Sequence, residues 1–272
     1  MNAADKINVL VLAGTRPSGD KVAKAEGVSS KAFVDIDGRP MIDHVLETLR
    51  SWHLIGDIIL SMPKHEAESG KSTLLAEMVR KNLVKRVETG TTPCRSILMG
   101  LDGIPTTHAL LVTTADHPLL THAILDEFVE KSWKKPADFV AALAETDMVE
   151  QAYPQVKRTR LPFVDGAVGG CNLFMFKTPA ARGVVEFWRK LEENRKKPLR
   201  MAMTIGGGVL IRYLLKKLTL EYVRKTLEAK TGAEIALPLL SNPHAAIDVD
   251  KVEDLALVRE IFKEGYARKK HA

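Results

Sequence analysis

The sequence lacks the features that mark disulfide-rich, zinc-dependent or membrane-spanning proteins. Its only two cysteines, Cys94 and Cys171, form no CxxC pair, so neither a disulfide framework nor a zinc site is indicated. The eight histidines show no HExxH-like spacing, which argues against a zinc enzyme of that kind. No apolar run approaches the length of a membrane span. The first residues lack the basic-then-apolar pattern of a signal peptide, so we expect a reduced, cytoplasmic compartment.

The composition is that of an ordinary globular enzyme, with a mild excess of positive charge. Hydrophobic residues make up 45% and charged residues 27% of the 272 residues, and the formal net charge is +6. This length suffices for one large domain or two small ones. The positive excess fits anionic small molecules or an acidic membrane surface, and we expect no nucleic-acid partner.

Strand-like and helix-like segments alternate in the first half of the chain. The run Val9–Leu12 is aliphatic without polar alternation, which is typical of a strand buried on both faces. The alternation predicts an α/β fold with a mostly parallel central sheet flanked by helices. The predicted strands cover residues 9–12, 32–36, 57–62, 84–87, 109–113 and 137–143, and the predicted helices cover 41–52, 72–82, 93–101 and 121–131.

The second half of the sequence changes character. A glycine-rich loop over 166–172 precedes a predicted strand at 173–176, and a helical insert follows at about 179–229, interrupted at Gly206–Gly208. The remaining predicted elements are strands within 232–238 and at 246–249 and a helix over 251–268. No internal repeat or low-complexity linker separates the halves, so we expect a single catalytic domain over 1–272 that carries the insert.

A long polar segment follows the first strand. Gly14 permits a sharp turn and close approach of a ligand to the backbone, and basic residues including Arg16 and Lys31 follow it. Free backbone N–H groups with Arg and Lys suit a polyphosphate, although an ordinary surface loop is the alternative. Asp116-His117 also follows a predicted strand, and ligands in such sheets lie beyond the carboxyl ends of the strands. Both clusters should therefore lie on one edge of the sheet.

Three aspartates are candidate metal ligands. Asp116 stands after a buried strand, where its carboxylate could bind Mg²⁺; a turn-forming Asp before proline is the alternative. Asp248 and Asp250 have the i, i+2 spacing that places two side chains on one face of a strand. Alternatively, Asp250 caps the last helix, with Glu253 at the capping-box position, and both roles can coexist.

Other polar clusters have less specific interpretations. Arg95-Ser96 opens a predicted helix, whose N-terminus suits a phosphate or a base contact, and a plain N-terminal turn is an equal alternative. The glycine-rich loop, with Gly170 and Asn172, is interpreted as an acceptor-binding loop. Cys171 as a nucleophile has little support. A basic cluster suits an anionic acceptor or a lipid head group, or is a solvated face; it comprises Arg189, Arg195, Lys196, Lys197 and Arg200.

Taken together, four motifs resemble those of the MobA-like NTP transferases, a nucleotidyltransferase superfamily. They are LAGTR followed by Lys31 in SKAF, Arg95-Ser96, TTADHPLL and the late AIDVDKVEDL. The resemblance implies a Rossmann-like, glycosyltransferase-A-like sheet and Mg²⁺-dependent transfer from a nucleoside triphosphate to a phosphorylated acceptor. The segment between Pro17 and Ser30 is longer than the family loop, and the helical insert has no family counterpart, which bears on the acceptor more than on the fold.

The resemblance also implies roles for individual residues. The first motif would pass under the nucleotide, Arg16 and Lys31 would hold its phosphates and act in catalysis with Asp116, and Ser96 would lie near the base or ribose. The metal ligands would be Asp116 with Asp250 or Asp248. The implied nucleotide-binding residues are Leu12, Ala13, Gly14, Thr15, Arg16, Lys31, Arg95, Ser96 and Asp116, and the implied acceptor-binding residues are Gly170, Asn172 and His117.

Several functions remain open at this point. The acceptor could be a sugar, polyol or other alcohol phosphate, or a pterin phosphate, as in a molybdenum-cofactor guanylyl- or cytidylyltransferase. A non-catalytic nucleotide-binding regulatory protein is the alternative of another class, and the presence of Arg16, Lys31, Asp116 and Asp250 together argues against it. A peripheral membrane contact through the basic cluster is a further possibility.

Overall fold

The computed structural model describes residues 6–15, 19–104, 109–155, 161–192 and 198–266. Its internal contacts divide the chain into two compact units. The first unit consists of Met1–Glu127 together with Ile247–Ala272, and the second of Phe128–Ala246. The predicted helical insert lies inside the second unit, and the single-domain organisation stays a prediction.

The first unit is built on parallel strands with helices between them. Its strands are β1 (Ile7–Leu12), β2 (Asp35–Ile36), β3 (Arg39–Pro40), β4 (Ile55–Ser61), β5 (Val84–Val87) and β6 (Leu110–Thr114). Its helices are α1 (Lys21–Ala25), α2 (Met41–Ser51), α3 (Lys64–Ala67), α4 (Thr73–Arg80), α5 (Pro93–Asp102), the first half of α6 (His122–Trp133) and, at the far end of the chain, α12 (Val252–Lys263), with a 3₁₀ helix at Lys31–Phe33.

Strand β1 is the centre of this unit. It pairs in parallel with β4 on one side and with β6 on the other, and β4 pairs in parallel with β5. Residues Ile7–Val11 are all buried, because helices cover a parallel sheet on both faces. Strands β2 and β3 form a separate antiparallel hairpin, with the predicted Asp37-Gly38 turn.

The second unit contains an antiparallel pair of strands and a group of helices. Its strands are β7 (Phe139–Glu145), β8 (Leu161–Phe163), β9 (Gly166–Phe176) and β10 (Ile235–Ala236). Strand β7 pairs antiparallel with β9 and in parallel with β10, and β8 forms a hairpin with β9. Its helices are α7 (Thr146–Ala152), α8 (Arg182–Glu192), α9 (Pro198–Ile205), α10 (Gly207–Leu214) and α11 (Leu220–Thr231), with 3₁₀ helices at Pro179–Ala181 and Pro243–Ala246.

The structure confirms the predicted fold class, an α/β protein with a mostly parallel sheet flanked by helices. The predicted helical insert is also helical, and its break falls at Gly206 between α9 and α10. Among the described residues, no helix is both long and apolar enough to cross a membrane.

Three local predictions were wrong. The segment 14–31 is not loop throughout, because Asp20 accepts hydrogen bonds from the backbone N–H groups of Val22 and Ala23 and starts α1. The glycine-rich segment 166–172 belongs to β9, where pairing with β7 overrides the low strand propensity of glycine. The pairing register shifts near Asn172, whose φ is 49°. Residues 246–249 form no strand: Ala246 ends a 3₁₀ helix, and 247–249 have no regular secondary structure.

The start of α12 also differs from the prediction. Asp254, not Asp250, supplies the cap: its Oδ2 accepts from the backbone N–H of Asp250 at 3.1 Å and of Lys251 at 2.9 Å. Asp254 is buried, whereas Glu253, the predicted capping residue, is exposed. The Asp250 carboxylate is therefore not the cap of this helix and is available for other contacts.

This cap gives a testable expectation for stability. We expect Asp254→Ala to lower the free energy of unfolding by about 1–2 kcal/mol, because two helix-end N–H groups lose their acceptor. Denaturant unfolding followed by circular dichroism would measure it. Glu253→Ala is the matched control, and an equal loss in both variants would contradict the assignment of Asp254 as the cap.

Candidate functional site

Strands β1, β4 and β6 end at the same level in the first unit. Leu12 pairs with Ser61 of β4 and with Thr114 of β6. The next residues continue this connection, since the backbone N–H of Ala13 donates to Ser61 O and that of Ala115 donates to Leu12 O, both at 2.9 Å. The chain segments that follow β1 and β6 therefore leave the sheet side by side, as the topology predicted.

Lys31 reaches the segment after β6 from the 3₁₀ helix that it begins. Its Nζ lies 2.5 Å from Asp116 Oδ2 and 3.2 Å from Asp250 Oδ1. The side chains of Lys31 and Asp116 are 18% and 15% exposed, whereas that of Asp250 is 62% exposed. The late segment is joined to the same place by its backbone, because Val249 N–H donates to Asp116 O at 2.9 Å.

The charges of this cluster determine its pKa values. Burial by itself lowers the pKa of Lys31, but the Asp116 and Asp250 carboxylates outweigh burial and raise the pKa above its ordinary value. Burial raises the pKa of Asp116, yet the Lys31 ammonium outweighs burial and holds the pKa of this carboxyl below its usual range. Both side chains are therefore charged at neutral pH.

Three carboxylates converge beside Lys31. Asp116, Asp248 and Asp250 each place one oxygen within 4.8 Å of the others. The second oxygen of Asp116, Oδ1, is buried and accepts no hydrogen bond from the described part of the chain. A buried carboxylate oxygen without a partner is costly, and oxygen ligands are those that Mg²⁺ prefers. The residues present therefore fit a hard divalent cation.

A polar network behind Lys31 was not found from the sequence. The Thr15 hydroxyl lies 3.1 Å from Ser30 Oγ and 3.4 Å from each carboxylate oxygen of Glu66. Glu66 belongs to α3 and is buried. This network connects the end of the first motif to the residue before Lys31. No motif surrounds Glu66, and α3 is too short to give a periodic signal.

A tight turn after β5 packs against Gly14. A Cβ on Gly14 would lie 2.5 Å from Thr89 Cγ2, so the absence of a side chain permits this packing. The turn is closed by Ser96 of α5, whose Oγ accepts from the backbone N–H of Gly90 at 2.9 Å. Ser96 is buried while Arg95 is exposed. Ser96 thus fixes the shape of the turn, and its contact with a base or ribose stays a prediction.

The predicted site residues fall into three groups. The structure brings together in the first unit Leu12, Ala13, Gly14, Thr15, Lys31, Asp116, Asp248 and Asp250. Arg16 lies outside the described residues, as do Arg195, Lys196 and Lys197 of the basic cluster, whereas Arg189 and Arg200 are exposed.

The predicted acceptor residues lie in both units. His117 of the first unit is fully buried. Gly170 and Asn172 lie in β9 of the second unit instead of a loop. Their role in acceptor binding stays a prediction.

Comparison with known proteins defines the class. A family model for the MobA-like NTP transferase domain matches residues 9–161. The match covers more than half of the chain and includes Gly14, Lys31 and Asp116, so the chain belongs to this family. The resemblance found in the sequence motifs is thereby confirmed.

Individual relatives narrow the comparison. The chain is 26% identical over 137 residues to the 2-C-methyl-D-erythritol 4-phosphate cytidylyltransferase of Haemophilus influenzae, covering 50% of this chain and 57% of the relative. It is 31% identical over 117 residues to the protein of the same name from Mannheimia succiniciproducens, covering 40% and 50%. The chain thus spans about half the length of the curated relatives it matches.

Solved structures resemble a larger part of the chain. A hypothetical transferase from Thermus thermophilus superimposes with a TM-score of 0.73 and 26% identity, over 92% of this chain and 99% of that one. A CMP:2-keto-3-deoxy-manno-octonic acid synthetase complexed with CTP superimposes with a TM-score of 0.56 over 96% and 100% of the two chains. Its identity is 13%, so this likeness concerns the fold alone.

The turn at Gly90 gives a second testable expectation. In Gly90→Ala the new Cβ would lie 2.7 Å from Ser96 N, and the turn would have to move away from α5. We expect a loss of about 1–3 kcal/mol in the free energy of unfolding, measured by denaturant unfolding.

Gly103→Ala is the matched control, because the nearest atom to its Cβ would be Gly100 O at 3.5 Å. We expect this variant to unfold within about 0.5 kcal/mol of the parent protein. Equal effects of the two substitutions would show that close packing of the turn is unimportant.

Proposed function

We propose that this chain is a nucleotidyltransferase that joins a nucleoside triphosphate to a phosphorylated sugar or polyol and releases pyrophosphate. The observation that carries the proposal is the convergence of Lys31 with Asp116, Asp248 and Asp250 at the edge where β1 and β6 end. Family membership and the names of the relatives support the same reaction.

In the proposed reaction a phosphate oxygen of the acceptor attacks the α-phosphorus of the triphosphate. The new P–O bond forms as the bond from the α-phosphorus to the bridging oxygen breaks, and that oxygen leaves with pyrophosphate. No protein nucleophile is needed, because positioning and charge neutralisation supply most of the rate in phosphoryl-type transfer.

The side chains divide this work among them. Gly14 lies just after β1, where Thr89 packs against it, and in this proposal its backbone passes under the nucleotide, as the family resemblance implies. The Lys31 ammonium, which is held charged by its carboxylate neighbours, binds phosphate oxygens and stabilises the negative charge that develops on the leaving pyrophosphate. Arg16 adds a second positive charge in this proposal, as the family resemblance implies.

The proposed cofactor is Mg²⁺, held by Asp116 with Asp248 and Asp250. The unpartnered Oδ1 of Asp116 and the 4.8 Å grouping of the three carboxylates support this assignment. When bound, the ion would neutralise charge on the phosphate oxygens of the triphosphate. Without the ion, the three aspartates place net negative charge beside Lys31. This charge orients the Lys31 ammonium at the edge of the sheet.

The relatives suggest the first substrates to test. Two curated relatives are named for cytidylyl transfer to 2-C-methyl-D-erythritol 4-phosphate, and the synthetase of similar fold was solved with CTP. These names favour CTP as the donor and a small polyol phosphate as the acceptor. A pterin phosphate with GTP or CTP remains the alternative within the family.

Pyrophosphate release tests the proposal directly. The purified chain would be incubated with Mg²⁺, with each of ATP, GTP, CTP and UTP, and with a panel of sugar, polyol, choline and pterin phosphates. We expect release that requires both one triphosphate and one acceptor, with CTP the most active donor.

Thermal shift measurements with the four triphosphates separate the alternative outcomes. In one outcome, a triphosphate stabilises the chain although no combination of triphosphate and acceptor phosphate releases pyrophosphate. That result would favour the non-catalytic nucleotide-binding alternative over a transferase that acts on the tested acceptors. The absence of both stabilisation and pyrophosphate release, with all four triphosphates, would contradict the nucleotide site itself.

Asp116 provides the sharpest substitution. We expect Asp116→Asn to lower kcat/KM by on the order of 10²–10³, because the carboxylate charge at the centre of the cluster is removed. Mn²⁺ binding to the protein without nucleotide, measured by electron paramagnetic resonance, should weaken in the same variant. Asp37→Asn is the control, since Asp37 is exposed in the β2–β3 turn and has a φ of 53° that Asn tolerates. An Asp116→Asn variant with unchanged turnover and Mn²⁺ affinity would refute the metal assignment.

A further inference from the structure

The outer side of α10 in the second unit, together with the residues directly after this helix, combines exposed aliphatic side chains with exposed cations. Ile211 is 58% exposed, and Leu214 and Leu215 are each 61% exposed. Their i, i+3, i+4 spacing places them on one side of α10. We call this surface the apolar-basic face; it comprises Ile211, Arg212, Leu214, Leu215, Lys216 and Lys217.

These exposed side chains do not belong to the core of the helical insert. The opposite side of α10 has its own apolar contacts, because Val209 and Leu218 are buried against partly buried neighbours. Those neighbours are Phe163, Ile205, Leu210, Tyr222 and Val223. The segment therefore carries apolar residues on two sides, and each member of the outer set leaves more than half of its surface exposed.

The charges of this face all have one sign. The segment 198–220 contains four cations and no aspartate or glutamate. Within the described residues, neither Arg200, Arg212, Lys216 nor Lys217 forms an ion pair, and Arg212 instead lies over the Tyr222 ring, 3.8 Å from its centroid. Every residue from Ile211 to Lys217 is exposed, so aliphatic and cationic groups are presented together.

We infer that the apolar-basic face binds the surface of an anionic lipid bilayer. Aliphatic side chains on one side of a helix enter the boundary between head groups and acyl chains, and adjacent Lys and Arg side chains interact with anionic head groups. The face would lie on the bilayer rather than span it, in agreement with the absence of a membrane-crossing helix among the described residues.

Two other occupants fit the charges and side chains less well. A second copy of the chain, paired through the same face, would bring the cations of each copy toward those of the other without any carboxylate from this segment. A nucleic acid would find phosphate-binding cations here, but aliphatic side chains do not stack on bases as aromatic ones do.

Vesicle co-sedimentation of the full chain tests the inference. The vesicles would be phosphatidylcholine alone or phosphatidylcholine mixed with phosphatidylglycerol, at low and high salt. We expect binding that requires phosphatidylglycerol and weakens as salt screens the cations.

Matched variants identify the face. We expect Leu214→Gln/Leu215→Gln and, separately, Lys216→Asn/Lys217→Gln each to lower the partition coefficient on the mixed vesicles by on the order of tenfold. Asn is chosen at Lys216 because its φ is 53°. The controls are Leu83→Gln, an exposed leucine outside the face, and Lys263→Gln, an exposed lysine of α12, and both should bind as the parent chain does.

The remaining outcomes would overturn the inference. Absence of binding to the mixed vesicles would do so, as would equal binding by all variants whose circular dichroism is unchanged. Self-association that Leu214→Gln/Leu215→Gln abolishes, without vesicle binding by the parent chain, would show instead that the face joins copies of the chain. None of these measurements depends on the proposed transferase activity, so each idea can fail without the other.

Discussion

The ion pairs of Lys31 are the interactions on which the site depends. They connect residues 85 and 219 positions apart in the sequence, Asp116 and Asp250 respectively. Three carboxylates with oxygens within 4.8 Å of one another would otherwise repel. Because Lys31 and Asp116 are largely shielded from water, their attraction is stronger than that of a surface pair, and desolvation makes the loss of either partner costly.

The same arrangement explains why a cluster of like charges persists in a folded protein. One ammonium offsets only part of the negative charge of three aspartates, and this is the basis for proposing a cation here. Asp116 Oδ1, which accepts no hydrogen bond from the described residues, likewise shows that the polar groups of this cluster are only partly satisfied. A site that is complete as a hydrogen-bonded structure would have no such orphan, whereas a site built to receive a ligand can retain one.

Much of this arrangement could be predicted from the sequence. Residues Val9–Leu12 of strand β1 are all aliphatic, so the burial of this strand and its parallel neighbours could be predicted from the sequence. The alternation of strands and helices then placed the ends of β1 and β6 at one edge of the sheet, and Lys31 and Asp116 meet there. The prediction succeeded because strand topology determines which chain ends meet, whatever the loops between them do.

Other features depended on contacts that sequence patterns do not encode. Glu253 and Asp254 are both acidic and adjacent, and only the direction in which α12 enters the fold buries Asp254 and makes it the cap. Glu66 approaches Thr15 through packing of a four-residue helix. The complete burial of His117 was likewise not indicated by its position after Asp116 in the sequence. In the second unit, cross-strand pairing with β7 drew the glycines of 166–172 into a strand.

The division of the first unit into two stretches of chain affects how the protein is made. The ribosome must synthesise all of Phe128–Ala246 between the strands that begin this unit and the helix that ends it. At about 5–20 residues per second this delay is on the order of ten seconds. During that time Lys31 and Asp116 exist in the nascent chain while Asp248, Asp250 and the helix that orders them do not. The family match ends at residue 161, so the residues that complete the cluster of aspartates are translated only after the whole of the matched part of the chain.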